Sequence, residues 1–291
     1  MCYNLCTMRT LIKIIRQHIT WRHQLVKLAR ADLVKTFSGA ALGWAWAVIK
    51  PAVVIFVFWF AFDIGLRMGR QMDNGYPFIL WLMAGIIPWF FMEEMLTQGA
   101  NSLRQYNYLV TKMRFPIATI PTFVGISKFY VHLFLVALMV IFFLCYGFKP
   151  DIYMLQMPIY MFLMVLFFIA WAQFASLLTC ISKDFYNLVG SATTALFWLS
   201  GILYDIHTMD IPGWLKIILM LNPITFFASG YRNIFIYKVW MWEDHSTLWI
   251  RSLGIQIEAY PIVFFVIVLF VMAVLALWAY RKLYREIPDV I

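Results

Sequence analysis

Long apolar runs separated by short polar segments set the pattern of this chain, at 40–62, 77–92, 117–146, 158–181, 188–206 and 261–279. A bilayer core about 30 Å thick takes roughly 20 apolar residues of helix. Inside lipid only helices and closed barrels satisfy every backbone polar group. The pattern therefore predicts an all-α polytopic membrane protein with six transmembrane helices. The second run is short unless it continues through Glu93 and Glu94 toward Gln98.

The segments between the runs carry their own periodicity. Leu11, Ile12, Ile15 and Ile19 recur at helical spacing, with Lys13, Arg16 and Gln17 elsewhere on the wheel. This predicts an N-terminal amphipathic interface helix within residues 1–39, serving as a simple anchor or as a contact for a cytoplasmic partner. The pattern blurs after Asp32. Residues 101–116 have room for a short helix, with Ser102 as cap, Leu103, Tyr106, Leu109 and Val110 as apolar contacts and Pro116 as terminator; a plain connection is the alternative. Residues 206–250 are long yet apolar. Pro212 to Leu221 and Pro223 to Tyr237 read as two short helices, the second begun by Asn222 as cap and Pro223 at the first helical position. Neither is long enough to span, which predicts re-entrant helices at the outer membrane face. The membrane domain then occupies 40–280, and 281–291 forms a C-terminal tail.

With 64% hydrophobic and 13% charged residues, the 291-residue chain lies outside the range of soluble domains. Lys and Arg concentrate before the first run (Arg9, Lys13, Arg16, Arg22, Lys27, Arg30, Lys35), in the second loop (Arg104, Lys112, Arg114) and after the last run (Arg281, Lys282, Arg285). The first loop has Arg67 and Arg70, and the third has Lys149. By the positive-inside rule both termini are cytoplasmic. The net charge of +9 sits chiefly beside a membrane span, where topology and anionic lipid headgroups explain it without nucleic acid. Residues 1–35 carry charge throughout and lack the uninterrupted apolar core of a signal peptide. The four cysteines are too scattered for a disulfide framework or a metal site and read as free thiols.

No glycine is followed by lysine, so a phosphate-cradling P-loop is absent, as are a His-Glu-x-x-His zinc helix and a G-x-S-x-G elbow. Energy for any driven process must enter from another subunit. Ionisable residues inside the runs are costly in hydrocarbon and draw attention. Lys50 either snorkels to the headgroups or faces a hydrated path for an anionic substrate. Lys128 and His132 share a helix face, and Glu93 and Glu94 fall late in the second run; interfacial or structural roles compete with functional ones. In the fifth run Asn187, Ser191, Thr194, Trp198, Gly201 and Asp205 follow at steps of four and three, opposite Leu188, Ala192, Leu196, Leu199 and Leu203. Such a stripe is either a packing seam or the wall of a path. Most of the 13 Trp residues fit an interfacial belt, and a minority are available to stack on sugar rings.

Gly85-Ile86-Ile87-Pro88-Trp89-Phe90-Phe91, Gly99 to Ser102, Lys112 to Pro116, Ile120-Pro121 and Phe129-Tyr130 with His132 resemble the permease subunit of ABC exporters for wall teichoic acid. Leu42-Gly43-Trp44, Leu221-Asn222-Pro223 and Gly230-Tyr231-Arg232 resemble the wider ABC-2 polysaccharide-export group. The resemblance implies a homodimer of six-helix subunits in the bacterial cytoplasmic membrane, with two ABC ATPase subunits that bind ATP and Mg while this chain binds no cofactor. It implies flipping of a lipid-linked anionic glycopolymer, with Lys50, Asn187, Ser191, Thr194 and Trp198 on the substrate path. It makes 101–116 the coupling helix, with Leu103, Arg104, Tyr106, Leu109 and Lys112 toward the ATPase. Lys50 stands where an uncharged residue is more usual. Export of O-antigen or capsular polysaccharide, a drug-exporting permease, and a membrane-embedded glycosyl- or phosphotransferase are the alternatives.

Overall fold

The computed structural model describes residues 2–66, 75–113, 115–206, 211–250 and 255–284, without the side chains of 2–9 and 246–257. Arg67, Arg70, Arg114 and Arg285 of the charge pattern lie outside the described residues. In chain order the helices are α1 (Cys2–Thr20), α2 (Arg22–Phe37), α3 (Trp46–Trp59), α4 (Phe78–Glu94), α5 (Ala100–Gln105), α6 (Asn107–Thr111), α7 (Ile120–Cys145), α8 (Met157–Ile181), α9 (Lys183–Leu199), α10 (Gly213–Met220), α11 (Pro223–Arg232) and α12 (Pro261–Leu283).

Helices covering 43–65, 78–105, 117–145, 152–181 and 261–283 are long and apolar enough to cross a bilayer. The remaining predicted span, α9, has 17 residues, about 25 Å of helix and the lower limit for crossing. The all-α polytopic class holds. Proline occupies the first turn of α7, α8, α11 and α12, where its missing N–H costs nothing and its fixed φ favours the helix. Asn222 caps α11 as predicted, its side chain accepting from the Ile224 amide at 3.0 Å.

Several boundaries differ from the sequence reading. The N-terminal segment forms two helices that break at Trp21. Ile12, Ile15 and Ile19 face outward, while Ile14 packs against the protein. The second span takes the longer of the two readings and runs past Gln98: a π-helical turn at Met95–Gly99 joins α4 to α5, so Ser102 is a buried mid-helix residue rather than a cap. Only α6 is a separate helix in the predicted 101–116 segment. The fifth span begins early, at Lys183, and ends early, at Leu199; its end is closed by Gly201, which follows Ser200 with φ +64°, a left-handed conformation that terminates helices. Within 206–250 the two helices form a pair bent by 86°. An antiparallel hairpin follows, Ser246–Ile250 (β1) against Ile255–Ala259 (β2), with Ser246 opposite Ala259.

Burial is uneven across the bundle. In the second span, 78–105, 78% of the most apolar window is buried, against 6% for the first span. The main core forms around α4 from α7, α8, α11 and α12, with Trp81, Phe168 and Phe227 among its fully enclosed side chains. A second cluster lies at the basic end of the bundle, where Leu25 and Ala29 of α2 meet Leu103, Tyr106, Leu109, Phe123 and Tyr280.

Candidate functional site

The ionisable residues scattered over three apolar runs converge. A cleft of about 360 Å³ is lined by Lys50 from α3, Glu93 and Glu94 from α4, and Lys128 and His132 from α7, with Thr36 and Phe37 of α2 at its border. Its remaining walls include Trp46, Pro51, Phe90 and Leu135. The four-residue spacing of Lys128 and His132 puts both on the face of α7 that meets α4. Lys128 Nζ lies 2.9 Å from Glu94 Oε2, while Lys50 is exposed at the cleft. His132 is buried, and its Nε2 lies 2.8 Å from the hydroxyl of Tyr231 on α11.

A second hollow of about 240 Å³, bordered by Trp89, Phe197, Thr193 and Thr194, shares Val54, Phe90 and Glu93 with the first. Glu93 thus faces both, and a largely apolar groove with charged and hydroxyl groups set into it runs from α7 past α3 and α4 to α9. Of the predicted path residues, Lys50 and Thr194 lie on this surface, while Asn187, Ser191 and Trp198 are exposed beside it. Trp198 sits edge-on to Phe58 of α3 with ring centres 6.4 Å apart. The inward face of α9 carries Val189 and Thr193. Gly201 and Asp205 do not extend the stripe, because the helix has ended; Asp205 Oδ2 instead accepts from the Tyr237 hydroxyl at 2.7 Å.

The predicted coupling residues divide by burial. Leu103, Tyr106 and Leu109 are enclosed by α2, α7 and α12; Arg104 is half-buried, and Lys112 is exposed next to exposed Tyr108 and Met113. An amphipathic short helix packs its apolar side inward, so these leucines hold the segment in place and the surface it offers is Tyr108, Thr111, Lys112 and Met113. The Tyr106 hydroxyl donates to the buried carboxylate of Asp32, and Lys35 Nζ lies 5.2 Å from the ring centre. Burial, and then the neighbouring Asp32 carboxylate, push the Tyr106 phenol above its ordinary range.

Sequence reasoning missed a polar group at the opposite end of the bundle. Arg232 on α11 is buried, with its guanidinium 3.4 Å from the Trp81 ring centre and Nη1 donating to the Gly201 carbonyl at 2.7 Å. Trp81 Nε1 donates to the Tyr237 hydroxyl at 3.0 Å. The signal was present in Gly85 and in Gly230-Tyr231-Arg232, read there only as marks of resemblance.

The set of groups is two ammonium and two carboxylate side chains with a buried imidazole, in a partly apolar cleft wide enough for a headgroup or a sugar. Among the described residues, no group of three or more His, Cys, Asp or Glu side chains is placed to hold a metal ion. A family model described as ABC-2 type transporter matches residues 23–236. The chain is 24% identical over 225 residues to the O-antigen export system permease protein RfbA of Myxococcus xanthus, an alignment covering 77% of this chain and 85% of that protein. Helix α1 precedes the matched region.

Proposed function

This chain belongs to the ABC-2 type transporter family, and we propose that it is the permease subunit of an ATP-driven exporter moving a lipid-linked polysaccharide across a bacterial cytoplasmic membrane. The chain has no nucleotide-binding motif of its own, so ATP and Mg belong to two partner ATPase subunits docked at the basic end. That end, with both termini, faces the cytoplasm.

The observation that carries this reading is the groove joining the Lys50 cleft to Thr194, largely apolar but with charged and hydroxyl groups set along it. Charged groups in an apolar-walled cleft need water or a polar guest, and a glycan with its lipid-phosphate linker supplies one. The first span and α9 bury little of themselves in their own subunit; a homodimer that apposes them closes the path between two copies. The similarity to an O-antigen permease favours an O-antigen-type glycan. Lys50, a cation exposed to the cleft, favours a second reading, an anionic polymer of the wall teichoic acid type.

Co-purification with a candidate ATPase, followed by transport assays in vesicles with lipid-linked neutral and anionic glycans, tests the proposal. Stoichiometric capture and ATP-dependent movement of a glycan are expected. A chain that binds no ATPase and instead transfers sugar or phosphate between lipids would overturn it.

A further inference from the structure

At the end of the bundle away from the termini, helix α11 is fastened across the terminus of α9 at two points. At its start Asn222 Nδ2 donates to Ser200 Oγ at 2.7 Å. At its finish Arg232 donates Nη1 to the Gly201 carbonyl at 2.7 Å and Nη2 to the Ile202 carbonyl at 2.5 Å. The same guanidinium stacks on Trp81 of α4 and directs Nε toward the Trp81 carbonyl at 3.4 Å. A buried cation is costly unless several acceptors surround it. Here three carbonyls, an aromatic face and the field of Asp205 do so.

The space for this arrangement comes from two glycines. A Cβ on Gly85 would stand 2.3 Å from Arg232 Nη2 and 2.9 Å from its Cζ, so a side chain there would push the guanidinium away from its seat against α4. Gly201 turns its carbonyl toward Arg232 through its φ of +64°, and a Cβ there would meet the Ile206 side chain at 2.7 Å.

We propose that Arg232 is a positioning residue for export. By locking Gly201 and Ile202 onto α4, it sets the placement of the whole stripe Asn187, Ser191, Thr194 and Trp198, whose helix ends at Leu199, two residues before Gly201. The role of the stripe in export rests on the function proposed above; the position of the fastened end does not.

The test uses the complete chain in complex with its ATPase, comparing Gly85→Ala, Arg232→Lys and the double variant. Lysine keeps the charge but lacks the Nη atoms that the new methyl would strike. Gly85→Ala is expected to lower export about tenfold, Arg232→Lys about threefold, and the double variant to export several-fold better than Gly85→Ala alone, since contacting residues couple by this order. A double variant no better than Gly85→Ala alone overturns the proposal.

A second readout works without transport. In a background free of native cysteines, a cysteine at the fully buried Ile202 is protected from a water-soluble thiol reagent in the parent chain and labelled when Arg232→Met is added. Continued protection in a folded Arg232→Met chain sinks the positioning role. If Arg232→Met does not fold, labelling of the Ile202 cysteine in Gly85→Ala, with protection regained in the double variant, decides in its place. A parent complex that moves no glycan counts against the proposed function, while the labelling still decides the position of the α9 terminus.

Discussion

The phenol of Tyr106 donates its hydrogen bond to the carboxylate of Asp32, joining α2 to the junction of α5 and α6 within a buried cluster. The other Asp32 carboxylate oxygen has no hydrogen-bond partner among the described residues, so among them Tyr106 is the partner of that side chain. Tyr106→Phe is expected to lower stability by about 1–3 kcal/mol, the cost of stranding a buried acceptor. Thermal unfolding in detergent measures it, and a Tyr106→Phe/Asp32→Asn pair should cost less than the sum of the singles.

The same contact has an alkaline signature. Because the folded-state value of Tyr106 is raised, its contribution is complete below the ordinary phenol value of about 10 and is lost as pH climbs above it toward the folded value. Tyr106→Phe should therefore flatten the loss of stability above that pH, and a midpoint that falls as steeply as in the parent chain would contradict the assignment.

Burial separates two classes of substitution in the predicted coupling segment. Leu109→Asp places a charge inside the basic-end cluster and should cost several kcal/mol, failing in folding rather than in signalling. Lys112→Glu and Met113→Asp change exposed positions; they should keep the unfolding midpoint within a degree or two while weakening capture of the ATPase. Full capture by both exposed variants would move the docking surface elsewhere.

Single cysteines along α9 report which side meets water. Ser191 and Thr194 are exposed, Val189 is buried and Leu196 is half-buried against the core. In the assembled transporter, with native cysteines removed, labelling is expected at Ser191 and Thr194 and protection at Val189 and Leu196. Protection at all four positions identifies a dry seam between subunits.

Lys50→Gln should reduce transport of an anionic lipid-linked polymer more than that of a neutral one, read as initial rates in vesicles. Equal losses would assign Lys50 to the linker phosphate common to both, and no loss would return it to the headgroups. Lys128→Gln, by contrast, breaks a pair whose Glu94 partner is half exposed, so its effect on stability should stay below about 1 kcal/mol.

Hydropathy located the spans well because lipid imposes a single rule on every residue of a crossing helix. It left two readings for the end of the second span, since Glu93, Glu94, Thr97 and Gln98 interrupt the apolar run while the backbone stays helical through Gln105. The cap at Asn222 was legible because its chemistry is local. The meeting of Lys50 with Glu93, Glu94, Lys128 and His132 was not, because periodicity fixes which residues share a helix face and says nothing of which faces touch. The burial of Arg232 was hidden for the same reason: its acceptors come from residues 30 or more positions away.

The sparse packing of the first span has a consequence for synthesis. That helix comes before the other crossing helices in this sequence, and with only 6% of its apolar window buried it meets them through half-buried side chains such as Val54, Phe58 and Phe62. The rest of its surface is left to lipid or to a neighbouring molecule, so defects on that surface should emerge as unassembled chains cleared by quality control. A thermal midpoint of the isolated subunit would miss them.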